Sequence, residues 1–579
     1  MAIGKKKTVG LILEEISVDY SRDIIHSVMN AVNAMNTRNI ELVVIAGKQY
    51  VEDENGNRKP FNDMYNSVYG IMNSCHFDGL LITLPNCKDR RNYEKLIFNR
   101  HEEVPKVFIS SDVQDEVTVT FDNETGINEA VDYLVRAKGF TKFCMLGGRD
   151  DNGDAVRRKD LYVKALGDNA VEFDEETQFV STDMSINTRE EARILLNNNP
   201  DCEAIFCVND QVAVGLYEVM KERSKIPGKD ILIFGFDNTI LSGNMVPPLA
   251  SIGSDSITLG QKALELLIRM MNGNPVESAV IPTKLYGKES LDYANYVYTT
   301  KEVLEGKVPT LNKMFDDCFY RYRNEQFTRN SVDLRRLFIE LIRSMIEAMN
   351  MRYMSQEKFD ELGRMIDVLF ESGIMKYTDI TKLTSSINKL QNTMNFNQQS
   401  LAANVMNNRL FLRMKDRAIR SMAESMITAE RRYYDNKTNM QRFIVESMDF
   451  GNDFDKATDR IIRNFDKLGI RNAAFYMFTK PIVTNGHELD IPNYINLCCV
   501  VKEGELYVLP KDRRLSSITR LFLREELTVN RSGLAAFPVF CRNIAYGFLI
   551  CELDEGLSDK GELIATRLGM ALCINDRRI

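Results

Sequence analysis

Three polar residues stand directly after, or one helical turn beyond, apolar runs that read as buried strands: Asn209 after EAIFCV, Asp237 after ILIFGF, and Arg158 in the first turn of the helix following KFCMLGG. In an open α/β sheet a ligand sits at the carboxyl ends of the strands, so the three converge on one crevice. An amide, a carboxylate and a guanidinium together accept from and donate to vicinal hydroxyls, which is the pattern that grips a sugar or nucleoside between apolar walls. Tyr20, just past the first strand, is placed to stack on a ring. Each residue also has a plainer reading. Asn209 and Asp210 can cap the helix beginning at Gln211, with Asp210 the better candidate; Arg158 can be an exposed helix arginine and Asp237 a turn residue before Asn238.

The elements that must position these residues follow from periodicity. From Thr8 to about Val297 short apolar runs (TVGLIL, ELVVIAG, GLLITL, KVFIS, KFCMLGG, EAIFCV, ILIFGF) alternate with amphipathic stretches, the βαβα order of a parallel sheet covered on both faces. Ser21 to Met35 puts Ile24, Ile25, Val28, Met29 and Val32 on one face, and Ile127 to Ala137 does the same with Ala130, Val131 and Leu134. The length suits two lobes. Beyond residue 300 long helices take over to about Met448, with Leu334, Phe338, Leu341 and Met345 on one stripe and Leu362, Ile366 and Leu369 on the next. Ile419, Met422, Met426, Ala429, Tyr433, Asn436, Met440 and Phe443 keep heptad spacing, which predicts either a short parallel coiled coil between two chains or an antiparallel bundle within one. From about Asn452 to Ile579 the order is helix, strands (AAFYMFT, YINLCCVV, GLAAFPVF, AYGFLICEL) and a closing helix from Lys560 to Asp576, the order of a small α+β GAF-like domain.

Composition narrows the function. At 579 residues the chain exceeds one core, and about 150 residues per domain implies several packed units. No apolar run approaches the roughly 20 residues needed to cross a bilayer, and the start MAIGKKKTVGLILEE lacks a signal cleavage site, so a cytoplasmic chain is expected. The eleven cysteines form no CxxC pair, and four dispersed histidines (His26, His76, His101, His487) give no zinc spacing, so no metal is expected. A net charge of −8 opposes general affinity for phosphate backbones. P-loop, HExxH and GxSxG motifs are absent, as are a GGDEF-like motif, a bilin cysteine and an NKFDE-like motif. Neither an enzyme nor a cofactor-bearing protein is expected.

Taken in order, ISVDYSRDIIHSV, FDGLLITLP, VPKVFIS, FDNETGINEAVDYLV, FCMLGGRDD, RRKDLYVKAL, AIFCVNDQVAVGLYEVM, KDILIFGFDNT, PPLASIG and LGQKALELL resemble the LacI/GalR family over about residues 7–297. The resemblance implies an α/β fold of two lobes, the type I periplasmic-binding-protein-like module. It implies that Arg158, Asn209 and Asp237 bind a sugar or purine effector, that Tyr20 lines the pocket, and that the chain is a homodimer. Two departures bear on ligand identity: Ser110 and Ser111 replace an acidic and basic pair, and Leu161 replaces a glycine beside Tyr162. With the first strand starting at Thr8, no helix-turn-helix headpiece is expected before it. The whole also resembles the front half of bacterial signalling proteins that end in a diguanylate cyclase. The expectation is therefore three modules (7–297 sensor, 300–448 helical connector, 452–579 GAF-like). Together they form a regulator that binds a sugar-class or nucleoside-class effector between the two lobes and relays the change through the helical connector to a signalling partner without binding DNA directly; the alternative is a LacI-like transcriptional regulator acting on DNA directly or through a partner.

Overall fold

The computed structural model describes residues 7–16, 19–34, 40–48, 64–83, 103–110, 113, 115–150, 152–254, 256–293, 299–319, 322, 333–349, 354–378, 380–397, 401–446, 461–483, 489–522, 533–553 and 557–575. His101, Ser111, Val297, Met448, Asn452, His487 and Asp576, all named above, lie outside the described residues. The chain divides into two compact units, one of residues 1–291 with 436–579 and the other of residues 292–435.

In the first unit the strands are β1 (Lys7–Leu13), β2 (Ile40–Ala46), β3 (Gly79–Thr83), β4 (Lys106–Ile109), β5 (Thr118–Asp122), β6 (Phe143–Gly147), β7 (Phe179–Ser181), β8 (Ala204–Cys207), β9 (Leu232–Phe236), β10 (Ala250–Gly253), β11 (Ala279–Pro282) and β12 (Lys284–Tyr286). They build two lobes. The first has the order β11-β5-β4-β3-β1-β2, all parallel, and the second β12-β10-β9-β8-β6-β7, parallel except for β12. Runs such as GLLIT and LIFGF are buried at every residue because helices cover both faces, so they show no alternation. The seven expected strands are present. The short β5, β7, β10, β11 and β12 were not anticipated, since TVTFD, FVS and KLY are too short or too polar to register as apolar runs.

The chain order of three modules is not the grouping in space. Beyond the helical region the chain forms β13 (Ala473–Val483), β14 (Tyr494–Lys502), β15 (Glu505–Val508), β16 (Leu515–Ser517), β17 (Leu534–Cys541) and β18 (Ile544–Glu552), an antiparallel set closed by the helix Leu557–Asn575. Its β17 pairs in parallel with β2, matching Leu534 to Val43, Ala535 to Val44 and Ala536 to Ile45, so both sets form one twelve-stranded sheet. The physical reason is that β2 is buried at every residue, and a free edge there would leave unpaired amides and carbonyls. The pairing stops two residues short of Pro538, which has no N–H to extend a ladder. The terminal helix packs closely on β17 through glycines: a Cβ at Gly569 would lie 1.9 Å from the Phe540 carbonyl oxygen, and one at Gly561 2.4 Å from the Phe537 ring.

The second unit is a helical bundle. Val308–Cys318, Leu334–Met349, Gln356–Glu371, Ile380–Asn397 and the start of Leu401–Glu446 bury Phe315, Phe338, Leu341, Met345, Leu362, Ile366 and Leu369 in one core. Phe315 meets Phe338 edge-on at 5.6 Å, and Asp367 pairs with both Arg413 and Arg417. The face of the long helix that enters this core carries Leu410, Phe411, Met414 and Ala418. The heptad positions Ile419, Met426 and Tyr433 are 60%, 61% and 62% exposed, whereas Phe443 is buried in the first unit's core with Met440 against it. The expected seam is thus not continuous within one chain.

Ala535→Pro tests the shared sheet, because Ala535 pairs on both sides, with Val44 and with Cys551. It is expected to lower stability by about 2–4 kcal/mol in urea unfolding. An unchanged midpoint would contradict the pairing.

Candidate functional site

Arg158 is held four ways. Its Nη2 donates to Asp237 Oδ1 at 2.9 Å, Nη1 to the Val208 carbonyl at 2.9 Å and Nε to Asn123 Oδ1 at 3.4 Å, while the guanidinium lies 3.7 Å over the Phe236 ring. At 4% exposure it is far from a free helix arginine. A buried guanidinium held by three hydrogen bonds and a ring keeps its planar fork in one orientation.

Asp237 follows β9 with φ of +91°, a region that non-glycine residues rarely adopt. Its N–H donates to the Ile252 carbonyl at 2.7 Å, and the next N–H, of Asn238, donates to Ser251 Oγ at 2.9 Å. Backbone strain held by surrounding bonds concentrates at ligand sites. Ser110, at the end of β4, also has positive φ, at +53°, and shares a 2.5 Å hydrogen bond with the Tyr20 hydroxyl. Burial pushes the Tyr20 phenol well up, the Ser110 bond working against it, so the ring is a neutral wall.

Asn209, rather than Asp210, caps the helix Asp210–Glu222: its Oδ1 accepts from the Val212 N–H at 2.9 Å, and its Nδ2 donates to the Met184 carbonyl. Asp210 turns inward. Its Oδ2 accepts from the Thr239 N–H and hydroxyl at 2.7 and 2.8 Å, and its Oδ1 from Ser251 Oγ at 2.6 Å, which ties the loop carrying Asp237 to β10. Burial pushes the Asp210 carboxyl up to about 7, with Lys288 opposing and Asp237 adding to the shift.

All four expected residues line one cavity of about 390 Å³ between the lobes, at the strand ends, together with Ser110, Phe121, Arg149, Asp154, Asp183 and Met184. That size suits a monosaccharide or nucleoside. The residues that sequence reasoning passed over are Asn123, Asp154 and Glu15. Asn123 was in plain view in FDNETG, but nothing in one sequence says that the amide turns toward Arg158. Glu15, at the cavity wall after β1, accepts from Lys48 Nζ at 2.6 Å, and the same ammonium lies 2.7 Å from Glu562 on the terminal helix. Burial opposes the Lys48 charge, but the two carboxylates outweigh it and its pKa is raised. Asn66 fixes the Lys48 backbone, accepting from its N–H at 2.7 Å and donating to its carbonyl. Glu15 and Glu562 lie 33 and 514 positions from Lys48, separations that no local pattern reveals.

Residues 131–291 match the periplasmic binding protein-like domain family. The transcriptional repressor PurR of Vibrio atlanticus is 27% identical over 216 residues, covering 35% of this chain and 60% of the repressor. The ribose operon repressor of Escherichia coli K12 is 28% identical over 194 residues, covering 33% of this chain and 57% of the repressor. In both cases less than two thirds of the relative's own length is spanned. Among solved structures, a cellobiose complex of the transcriptional regulator CelR aligns at 21% identity and a TM-score of 0.42, covering 49% of this chain and 85% of that one. Residues 131–291 are thus similar to the periplasmic binding protein-like domain, and the two curated relatives are named as repressors.

The raised Asp210 carboxyl gives a pH signature. Unfolded, the group loses its proton in the ordinary carboxylate range near 4; folded, it holds the proton to about 7. The folded state binds the extra proton between these values, so this group's contribution to stability falls as pH rises from about 4 to about 7. Asp210→Ala removes that slope and, by stranding Thr239 and Ser251, costs about 2–4 kcal/mol. Urea unfolding across this range checks both; an unaltered slope in the variant would contradict the assignment.

Proposed function

We propose that the chain is a ligand-responsive regulator, without catalytic activity of its own, whose effector is a polyhydroxylated small molecule of the sugar or nucleoside class. The observation that carries this is the cavity at the strand ends with Arg158, Asp237, Asn209 and Tyr20 on its walls. A fork of donors, a carboxylate and an apolar ring match a ligand with several hydroxyls, and the relatives named as repressors support a role in controlling transcription. Output on DNA, directly or through a partner, is the reading these relatives favour.

A relay through the C-terminal segment, which we read as GAF-like, is supported by a separate observation. Lys48 links the cavity wall at Glu15 to Glu562, and β17 extends the sheet that carries β1 and β2. Lobe movement around a ligand therefore acts on the terminal helix directly through Lys48 and indirectly through β17, on which that helix packs. We further read the protein as a homodimer, with Ile419, Met426 and Tyr433, apolar, exposed and at heptad spacing, contributing to the contact.

A thermal-shift screen of sugars and nucleosides on the full chain is expected to return a specific stabiliser, since binding to the native state raises apparent stability by mass action. Arg158→Ala and Asp237→Ala are each expected to weaken that ligand by on the order of 2–5 kcal/mol in calorimetry. Equal affinity in both variants would remove the site from this cavity. For the dimer, Met426→Asp is expected to lower the mass seen in light scattering; an unaltered mass would place any dimer contact elsewhere.

A further inference from the structure

We propose that the ligand of this cavity carries a protonated amine on its polyhydroxylated frame, the amino-sugar class, and that Asp154 is the residue that selects it. The inference rests on the reading of the cavity as the ligand site and goes beyond it by naming the charge of the occupant.

Six carboxyls line the cavity (Glu14, Glu15, Asp154, Asp183, Asp210 and Asp237) against two guanidiniums, Arg149 and Arg158. Several of these charges are already answered within the protein. Glu15 has Lys48 at 2.6 Å, and Asp237 has Arg158 at 2.9 Å. Asp210 is bound by Thr239 and Ser251 and is shifted toward neutrality. Glu14 and Arg149 each have an interaction of their own within the protein, and Asp183 is exposed.

Asp154 is different. It stands one turn before Arg158 on the helix Gly153–Asp168, faces the cavity, and has no ion-pair partner among the described residues. Its side-chain hydrogen bond is with Asn123, the same amide that accepts from Arg158 Nε. Burial raises its pKa, Arg158 draws it down, and the Asp237 charge pushes it up again. The cavity wall thus holds two carboxylates, Asp154 and Asp237, near one guanidinium whose ion pair is with Asp237, so Asp154 has no ion-pair partner of its own among the described residues.

An acidic residue in the first turn of a helix is favourable by itself, because the helix N-terminus carries partial positive charge. That accounts for an aspartate at this position but not for a carboxylate directed into a cavity. A neutral hydroxyl brought to the Asp154 carboxylate gives a hydrogen bond but leaves the negative charge uncancelled. An ammonium donates a hydrogen bond with both partners ionised and also cancels the charge. Desolvation on closure widens the difference, since an unanswered buried charge is costly.

The test is calorimetry on the full chain with matched pairs, glucosamine against glucose, galactosamine against galactose and mannosamine against mannose, at slightly acidic pH where the amines are protonated. The amine of at least one pair is expected to bind at least about tenfold more tightly than its neutral partner. Asp154→Asn is expected to bring the two within about twofold, and Asp154→Glu, which keeps the charge, to retain part of the preference, which separates selection from a folding defect. Equal or tighter binding of the neutral sugars, a preference that survives in Asp154→Asn, or no binding of any amine would overturn the proposal. Asp237→Ala distinguishes the two levels: amine binding that persists unchanged in that variant refutes the cavity itself as the site, whereas lost binding without amine preference in the parent chain refutes only the charge of the ligand.

Discussion

The site depends on a single buried ion pair. Arg158 and Asp237 come from opposite ends of the second lobe's sequence, one from a helix and one from the loop after β9, and their contact at 2.9 Å sets where each can point. A buried pair contributes little net stability because desolvating two ions offsets most of their attraction. What it does provide here is direction: the Phe236 ring below the guanidinium, the Val208 carbonyl and the Asn123 amide beside it leave one orientation open. Asp210 then fastens the Asp237 loop to β10 through Thr239 and Ser251, so the strained backbone at Asp237 has no cheaper conformation nearby.

Around this centre the first lobe supplies the other wall, with Tyr20 held by Ser110 and with Glu15 held by Lys48. Lys48 belongs to two neighbourhoods at once. It pairs with one carboxylate at the cavity wall and with another on the terminal helix. The shared sheet adds a backbone connection, through β17 and β2, to this ionic one. Strand β2, an edge in the first lobe taken by itself, is an interior strand here.

Much of this was legible in the residues. The buried parallel strands announce themselves as unbroken apolar runs, and the polar residues just after them identify the cavity wall; Asn209, Asp237, Arg158 and Tyr20 all lie where that logic puts them. The cap assignment failed between neighbours. Asn209 and Asp210 are both good caps, and only the presence of Thr239 and Ser251 in space decides that Asp210 turns inward. The union of β2 with β17 was hidden for a different reason. It joins segments nearly 500 residues apart through three backbone pairs, and backbone pairing leaves no side-chain signature. The heptad read along the long helix was real as spacing, yet the core takes Ala418 and leaves Ile419 in solvent, since packing of the preceding helices sets which stripe is covered.

Hydrogen exchange of the full chain, with and without the first sugar or nucleoside that stabilises it, tests the central claim most directly. The account predicts slowed exchange at the cavity walls, around residues 152–158, 209–212 and 237–239, together with a change in β17 and in the helix Leu557–Asn575. Protection that leaves the cavity walls untouched, or that stops at them with no change in the C-terminal strands and helix, would contradict it.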